Sequence, residues 1–182
     1  MIELKMHHVE KLEELFAKTP KEARTLMARA INRSADTARA AASQEIRAKY
    51  IIRASDVKNA IKINKATVSK LAAQVRTSGP VIPLMKFDVT PTQRKDVVVR
   101  ARVKKGGSKK IIKRGFVAEM GNSHTNVFTR VGNSRLPIKG AYGPSIAQMM
   151  GDDAIIRNIA TRAQDTLDKR MEHEMQRLLY GG

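Results

Sequence analysis

The sequence predicts an α+β fold: a long N-terminal helix, a mostly antiparallel sheet with a basic hairpin, and a long C-terminal helix. Helical periodicity lies towards both ends of the chain, and short alternating segments punctuated by glycine and proline lie between them. Helices followed by a run of strands are typical of α+β folds. We expect one domain over residues 1–182, with a helical part at 1–53, a mainly β part at 54–138 and a helical part at 139–182.

The composition is strongly basic. Thirty-five Lys and Arg residues against 17 Asp and Glu residues give a net charge of +18. Such a surface attracts polyanions, so we expect nucleic acid or an acidic protein as partner, and charge alone does not choose between them. No stretch approaches the ~20 apolar residues that span a bilayer, so no membrane partner is expected. The chain has no cysteine, which excludes disulfides and Cys-based zinc sites.

Helix signals begin near the N-terminus. Residues 2–17 have helical spacing and could form a helix, or a short strand leading into one. Thr19 is a predicted N-cap and Pro20 a predicted first helical position, and this helix should reach Ala48 or Tyr50. We interpret its stripe of small residues as a core face, with an oligomer contact as the alternative. The stripe consists of Ala23, Met27, Ala30, Ile31, Ser34, Ala38, Ala41 and Ala42.

The central segments predict strands. A short helical turn at 55–61 precedes an alternating run at 68–76, and Pro83 makes the next extended run, 81–89, an edge or irregular strand. Residues 96–103 give the clearest strand, and Gly106-Gly107-Ser108 is a predicted hairpin or loop tip. The inward face of that strand should carry Val97, Val99, Ala101 and Val103. Extended pieces at 110–113 and 115–120 are candidate continuations of the sheet.

The last helix should run from the N-cap Asp152 to about Tyr180. Its apolar residues recur every three or four positions and predict a buried stripe. These residues are Ile156, Ile159, Ala160, Ala163, Leu167, Met171, Met175 and Leu178.

A basic segment is the strongest candidate for binding. Residues 94–114 hold ten Lys or Arg residues and one acid, Asp96. We interpret this charge as a contact with a phosphate backbone, the alternative being a solvated strand face protected from aggregation. Without interleaved aromatic residues, any DNA contact should be independent of sequence. The candidate DNA-contact residues are Arg100, Arg102, Lys104, Lys105, Lys109, Lys110, Lys113 and Arg114.

No catalytic or metal-binding pattern is present. The four histidines (His7, His8, His124 and His173) have neither an HExxH spacing nor cysteine partners. No nucleophile elbow, P-loop or dinucleotide fingerprint occurs. We therefore expect no enzyme activity, no cofactor and no metal.

Residues 127–150, VFTRVGNSRLPIKGAYGPSIAQMM, are the most specifically punctuated part of the chain. A strand at 127–131 leads into the turn Gly132-Asn133-Ser134, and a short extended piece surrounds Pro137. Pro144 is predicted to begin a helix. Arg130 and Arg135 bracket the turn, where they could hold neighbouring carbonyls or reach a carboxylate across a subunit interface.

This block resembles the signature of the prophage minor tail protein Z family, the tail completion proteins of lambdoid-type phages. The resemblance is carried by Phe128-x-Arg130, by Arg135-Leu136-Pro137-Ile138 and by Tyr142-Gly143-Pro144-Ser145. Weaker similarity includes Leu84-x-x-Phe87 and Gly115-Phe116 and extends over roughly residues 20–180.

The resemblance implies a structural virion protein at the head-proximal end of the tail, the head–tail junction, that makes the tail competent for DNA passage. It also implies a homo-oligomeric ring, other tail or neck proteins as neighbours, and assembly in the host cytoplasm. We expect a sequence-independent contact with genomic DNA, or an acidic neighbour in its place. The alternative function is that of a free non-specific nucleic-acid-binding protein. The candidate interface residues are Phe128, Arg130, Arg135, Leu136, Pro137, Tyr142, Gly143 and Pro144.

Overall fold

The computed structural model describes residues 17, 20–95, 97–121 and 124–180. Its helices are α1 (Pro20–Lys49), α2 (Ala54–Ala60), α3 (Ile146–Met150) and α4 (Asp153–Tyr180). Its strands are β1 (Ile61–Asn64), β2 (Gln74–Thr77), β3 (Ile82–Pro83), β4 (Asp88–Thr90), β5 (Arg100–Arg102), β6 (Lys110–Ile111), β7 (Gly115–Met120), β8 (His124–Arg130), β9 (Ile138–Gly140) and β10 (Tyr142–Gly143). All strand pairs are antiparallel, so the predicted α+β class is confirmed.

The chain forms two compact units. Unit 1 comprises the described residues within 1–45, 58–77 and 150–182, and unit 2 comprises those within 46–57 and 78–149. The expectation of a single domain with three parts stays a prediction, because compactness does not show whether the units fold separately. The predictions for residues 2–16 and for the N-cap Thr19 lie outside the described residues.

Unit 1 is built on the packing of α1 against α4. One buried cluster joins the two helices and consists of Ala23, Leu26, Met27, Ala30, Leu167, Met171 and Met175. Further along, the buried Ser34 donates through Oγ to the carbonyl oxygen of Ala163 at 2.6 Å, and Glu45 pairs with Arg162 at 3.1 Å. The stripe of α1 is therefore a core face of this chain, as predicted.

Five of the eight residues predicted for the α4 stripe are buried, Ala160 is half-buried, and the side chain of Leu178 lies outside the described residues. Ile159, Ala163, Leu167, Met171 and Met175 are buried. At the N-terminal end of the helix, however, Ile155 is buried and Ile156 is only half-buried. The buried residues therefore recur every four positions from Ile155 to Met175, and the three-residue step predicted from Ile156 to Ile159 does not occur.

A hairpin completes unit 1. β1 pairs with β2, from Ile61 opposite Thr77 to Asn64 opposite Gln74. The alternating run at 68–76 is thus a strand only from Gln74, and Ile61 begins a strand that was not predicted. The Asn32 side chain accepts from the backbone N–H of Ala66 at 2.7 Å and donates to its carbonyl oxygen at 3.0 Å, which ties the end of β1 to α1.

Unit 2 contains three small sheets. The strand orders are β10-β3, β4-β5-β6 and β7-β8-β9. β7 and β8 lie at the extended segments predicted at 115–120 and 127–131, although β8 begins earlier, at His124. The run predicted at 81–89 is not one extended segment, because Leu84–Lys86 form a 3-10 helix between β3 and β4. Leu84, Phe87 and Val89 are buried. The backbone N–H of Leu84 donates to the carbonyl oxygen of Ala141 at 3.0 Å, and the N–H of Ala141 donates to Val127 at 2.8 Å. These bonds connect the β3–β10 pair with β8.

The strand predicted at 96–103 is shorter than expected. β5 covers Arg100–Arg102, and Val97, expected to point inward, is 56% exposed. The ladder with β4 ends where Thr90 faces Arg100. Pro91 comes next on that side and has no N–H to donate, so pairing stops there.

Pro144 does not begin a helix, which corrects the prediction. α3 starts at Ile146, and Ser145 is its N-cap. The backbone N–H of Gln148 donates to Ser145 Oγ at 3.2 Å, and the N–H of Ser145 donates to Gln148 Oε1 at 2.8 Å. This reciprocal pair is a capping box, and it satisfies the backbone N–H groups of Ser145 and Gln148 at the start of the helix.

Candidate functional site

The basic hairpin, residues 100–114, joins β5 to β6 and then leads into β7. Arg100 pairs with Ile111 and Ala101 with Lys110, so Gly106 and Gly107 lie in the connecting turn as predicted. Two backbone bonds hold the segment between β5 and the turn: the N–H of Ile51 donates to the carbonyl oxygen of Val103, and the N–H of Lys105 donates to that of Lys49, both at 2.9 Å. The C-terminal end of α1 and the residues after it therefore position the hairpin, a role the sequence did not indicate.

Asp88 compensates part of the hairpin's charge. Its Oδ2 accepts from Arg102 Nη2 at 2.9 Å and Nε at 3.1 Å, and its Oδ1 pairs with Lys109 Nζ at 2.7 Å. The hydrogen bond from Lys109 contributes most to holding the pKa of the Asp88 carboxyl below its ordinary value; desolvation opposes this, and Arg102 adds to the lowering. Asp88 stands opposite Arg102 in the β4–β5 ladder, which explains the contact.

The eight candidate DNA-contact residues fall into two groups. Arg102 and Lys109 bind Asp88, Lys104 Nζ lies 5.8 Å from the centre of the Tyr50 ring, and Arg114 Nη2 donates to Asn133 Oδ1 at 2.7 Å. The side chains of the other four are exposed and make no hydrogen bond or ion pair with any described residue. They are Arg100, Lys105, Lys110 and Lys113.

The β8–β9 hairpin carries the Arg130 to Arg135 turn. Arg130 Nη1 donates to the carbonyl oxygen of Arg135 at 3.2 Å, and its guanidinium lies 5.2 Å from the centre of the Phe116 ring. The Phe116 and Phe128 rings are 6.2 Å apart. Arg130 thus holds a neighbouring carbonyl, one of the two roles considered for it. Arg135 is exposed, and its guanidinium makes no hydrogen bond or ion pair within the part of the chain described.

The candidate interface residues divide by exposure. Leu136 is 65% exposed and Tyr142 53%, and the neighbouring Val131, at 51%, adds to the same kind of surface. Arg135 and Pro137 are also exposed, whereas Phe128, Gly143 and Pro144 are partly buried. The exposed residues are available to a partner, whereas the partly buried ones pack within unit 2.

Gly143 owes its place to a close approach. A Cβ atom added there would lie 2.5 Å from the buried ring of Phe87. The backbone of β10 therefore passes the Phe87 ring at a distance only glycine allows. This contact links two segments of the family-like pattern that are far apart in sequence.

Asn126 is a residue that the sequence did not single out. It is 1% exposed, and its Nδ2 donates to the carbonyl oxygen of Ala141 at 3.1 Å, while its Oδ1 accepts from the backbone N–H of Met85 at 3.4 Å. The side chain therefore joins β8 to the segments before β10 and after β3. No sequence signal identified it, because its partners are backbone atoms of distant residues.

The charged residues of the β8–β9 hairpin are all positive. The sequence holds no Asp or Glu between Glu119 and Asp152, whereas Arg130, Arg135 and Lys139 lie in that interval. The exposed Val131, Leu136 and Tyr142 thus belong to a segment whose charged residues are all cationic.

Neither a metal-binding cluster nor a membrane-spanning helix occurs among the described residues. Among the described residues, no group of three or more His, Asp or Glu side chains is placed to hold a metal ion. Within the same residues, no helix combines the length and the apolar character needed to cross a membrane.

Comparison with protein families assigns the chain. The model of the family Prophage minor tail protein Z (GPZ) matches residues 6–180. No curated protein and no solved structure matches the chain. The family match includes both hairpins, both long helices and the block at 127–150 that carries the resemblance. The chain therefore belongs to the prophage minor tail protein Z family and has a structural role in a phage tail.

Proposed function

We propose that this protein is a tail completion protein at the head-proximal end of the tail, where it makes the head–tail junction competent for DNA passage. It acts as a homo-oligomeric ring that contacts other tail or neck proteins. Family membership supports the tail role, and the ring and the junction are inferred from the resemblance of the 127–150 block. The structural role of the family also supports the expectation that this protein has no catalytic activity.

The observation that carries the proposal is that Arg135, Leu136, Pro137 and Tyr142, all within the 127–150 block, are exposed. Leu136 and Tyr142 are exposed by more than half, and no acidic residue lies between Glu119 and Asp152. Interfaces favour aromatic and arginine anchors, and arginine binds carboxylates through its planar fork. These residues therefore suit a neighbouring protein subunit that offers carboxylates and an apolar patch.

The basic hairpin suits a different partner. Its exposed cations, Arg100, Lys105, Lys110 and Lys113, would contact the phosphate backbone of DNA crossing the junction. Exposed Val97, Val98 and Ile111 lie beside them, so the hairpin is not purely polar. An acidic neighbouring protein remains the alternative partner for this element.

Complementation of defective tails tests the assignment. Tails made without this protein should become infectious when wild-type protein is added, and the Tyr142→Ala and Arg135→Ala variants should restore far less activity. Tyr180→Ala and Arg157→Ala are matched controls, because Tyr180 is 83% exposed and Arg157 is exposed, and both lie in α4. Thermal melting of all four variants should resemble that of the wild type.

Two results would count against the proposal. If Tyr142→Ala and Arg135→Ala unfold the protein, the block is scaffolding and the interface is lost. If wild-type protein does not associate with tails but binds DNA as a monomer, the free nucleic-acid-binding function is the better description.

A further inference from the structure

An open cleft of about 420 Å³ lies between α1 and α4 in unit 1. It is lined by Arg33, Thr37, Thr166, Lys169, Arg170 and His173. Residues three or four apart share one face of a helix, so Arg33 and Thr37 form one wall and the α4 residues form the other.

The buried contacts between the helices fix these walls. Ala30, Leu167 and Met171 belong to the shared core cluster, and Ser34 donates to the carbonyl oxygen of Ala163. The two helices that form the walls of the cleft are therefore held in place by buried packing, so the cleft does not depend only on flexible surface side chains.

The lining is rich in cations and hydrogen-bond donors. The side chains of Arg33, Lys169 and Arg170 are exposed, and none makes a hydrogen bond or ion pair with a described residue. The hydroxyl of Thr166 already donates to the carbonyl oxygen of Arg162 at 2.9 Å, whereas the hydroxyl of Thr37 bonds no described residue. The lining includes no acidic and no apolar residue. Its chemistry matches an oxyanion with several acceptor oxygens.

We propose that this cleft binds phosphate groups of a nucleic-acid backbone, as a second DNA contact besides the basic hairpin. The identity of the polyanion rests on the proposed function, in which DNA crosses the assembled protein. An acidic protein is the weaker candidate, because protein interfaces usually bury an apolar core and the cleft offers none. Phosphate contacts need only charge and donors, and without aromatic side chains the cleft has no means to stack bases.

The test compares two variants that lose equal charge within unit 1. Lys169→Gln/Arg170→Gln removes two cations from the cleft, and Arg76→Gln/Arg157→Gln removes two exposed cations elsewhere. Binding of the full chain to a short mixed-sequence DNA duplex is measured over a series of salt concentrations. The slope of log affinity against log salt should flatten by roughly 1.8 for the cleft variant if both side chains contact phosphate, and clearly less for the control.

Equal slopes for the two variants would overturn the proposal. So would a cleft variant that keeps its DNA slope but loses binding to polyglutamate, since the ligand would then be an acidic chain. Melting temperatures check that both variants fold. Tail complementation is measured separately, so failure of the cleft proposal can be told apart from failure of the assignment to the tail.

Discussion

The carboxylate of Asp88 decides how many hairpin cations face solvent without compensation. It binds Arg102 and Lys109. Its side chain is 26% exposed, so solvent partly screens both ion pairs. Without Asp88, two further cations would join the four that have no described partner. A single acidic residue thus tunes the charge that the hairpin presents to a polyanion.

Acid titration should reveal Asp88. Because the pKa of this carboxyl is lower in the folded chain than in the unfolded one, its ionised form contributes stability above about pH 4, and this is lost as the pH falls through the lowered value. In Asp88→Asn the free energy of unfolding should fall less steeply below about pH 4 than in the wild type. The control is Asp36→Asn, which removes an exposed acid of α1.

Chemical denaturation at several acidic pH values measures the effect. If Asp88→Asn and the wild type lose stability in parallel, the contacts with Lys109 and Arg102 contribute nothing to folding. The same variant should bind DNA more tightly, because Arg102 and Lys109 are released.

Among the elements, α4 has the clearest structural task, because its buried stripe faces α1. Leu167 is 3% exposed and lies in the middle of the cluster with Ala30 and Met171. The stripe is buried within the chain itself, so its removal should weaken folding rather than only subunit association.

Leu167→Asp should therefore lower the free energy of unfolding by several kcal/mol, since it removes core packing and buries an unpaired carboxylate. Thr161→Asp, at an exposed position of the same helix, should change stability by less than about 0.5 kcal/mol. Denaturant unfolding of both variants gives the comparison. A Leu167→Asp protein of wild-type stability would mean that the packing of α4 on α1 is wrong.

The long helices were predictable because their evidence is local. The stripe of α1 and the phase of α4 follow from residues three and four positions apart, whatever the rest of the chain does. The strands were less predictable, because a strand ends where its partner can no longer pair. Val97 alternates correctly in the sequence, yet Pro91 on the neighbouring segment ends the ladder before reaching it.

At the scale of the whole molecule, the question is where the 18 excess positive charges lie. The structure puts uncompensated cations on the basic hairpin, in the cleft of unit 1 and around the β8–β9 hairpin. The sequence predicted that the first of these is basic, but not which of its side chains are bound. That division depends on Asp88, Tyr50 and Asn133, which approach only in the folded chain.

Removing the unbound hairpin cations tests their contribution. Arg100→Gln/Lys105→Gln/Lys110→Gln/Lys113→Gln should flatten the salt slope of DNA binding by roughly 3 to 4 if all four contact phosphate. A control with the same loss of charge is Lys58→Gln/Lys62→Gln/Arg76→Gln/Arg157→Gln, all exposed and outside the hairpin. Should both variants flatten the slope equally, only net charge matters, and the hairpin has no special contact with DNA.

The hydrogen bond from Ser34 to Ala163 has a mechanical consequence. Sliding α4 along α1 by one turn, about 5.4 Å, would move the carbonyl of Ala163 away and leave a buried hydroxyl without its partner. The same shift would pull Leu167 and Met171 out of register with the small residues that receive them. The helix pair therefore resists sliding along its length, and a pull on α4 would be passed on to α1 until this register breaks.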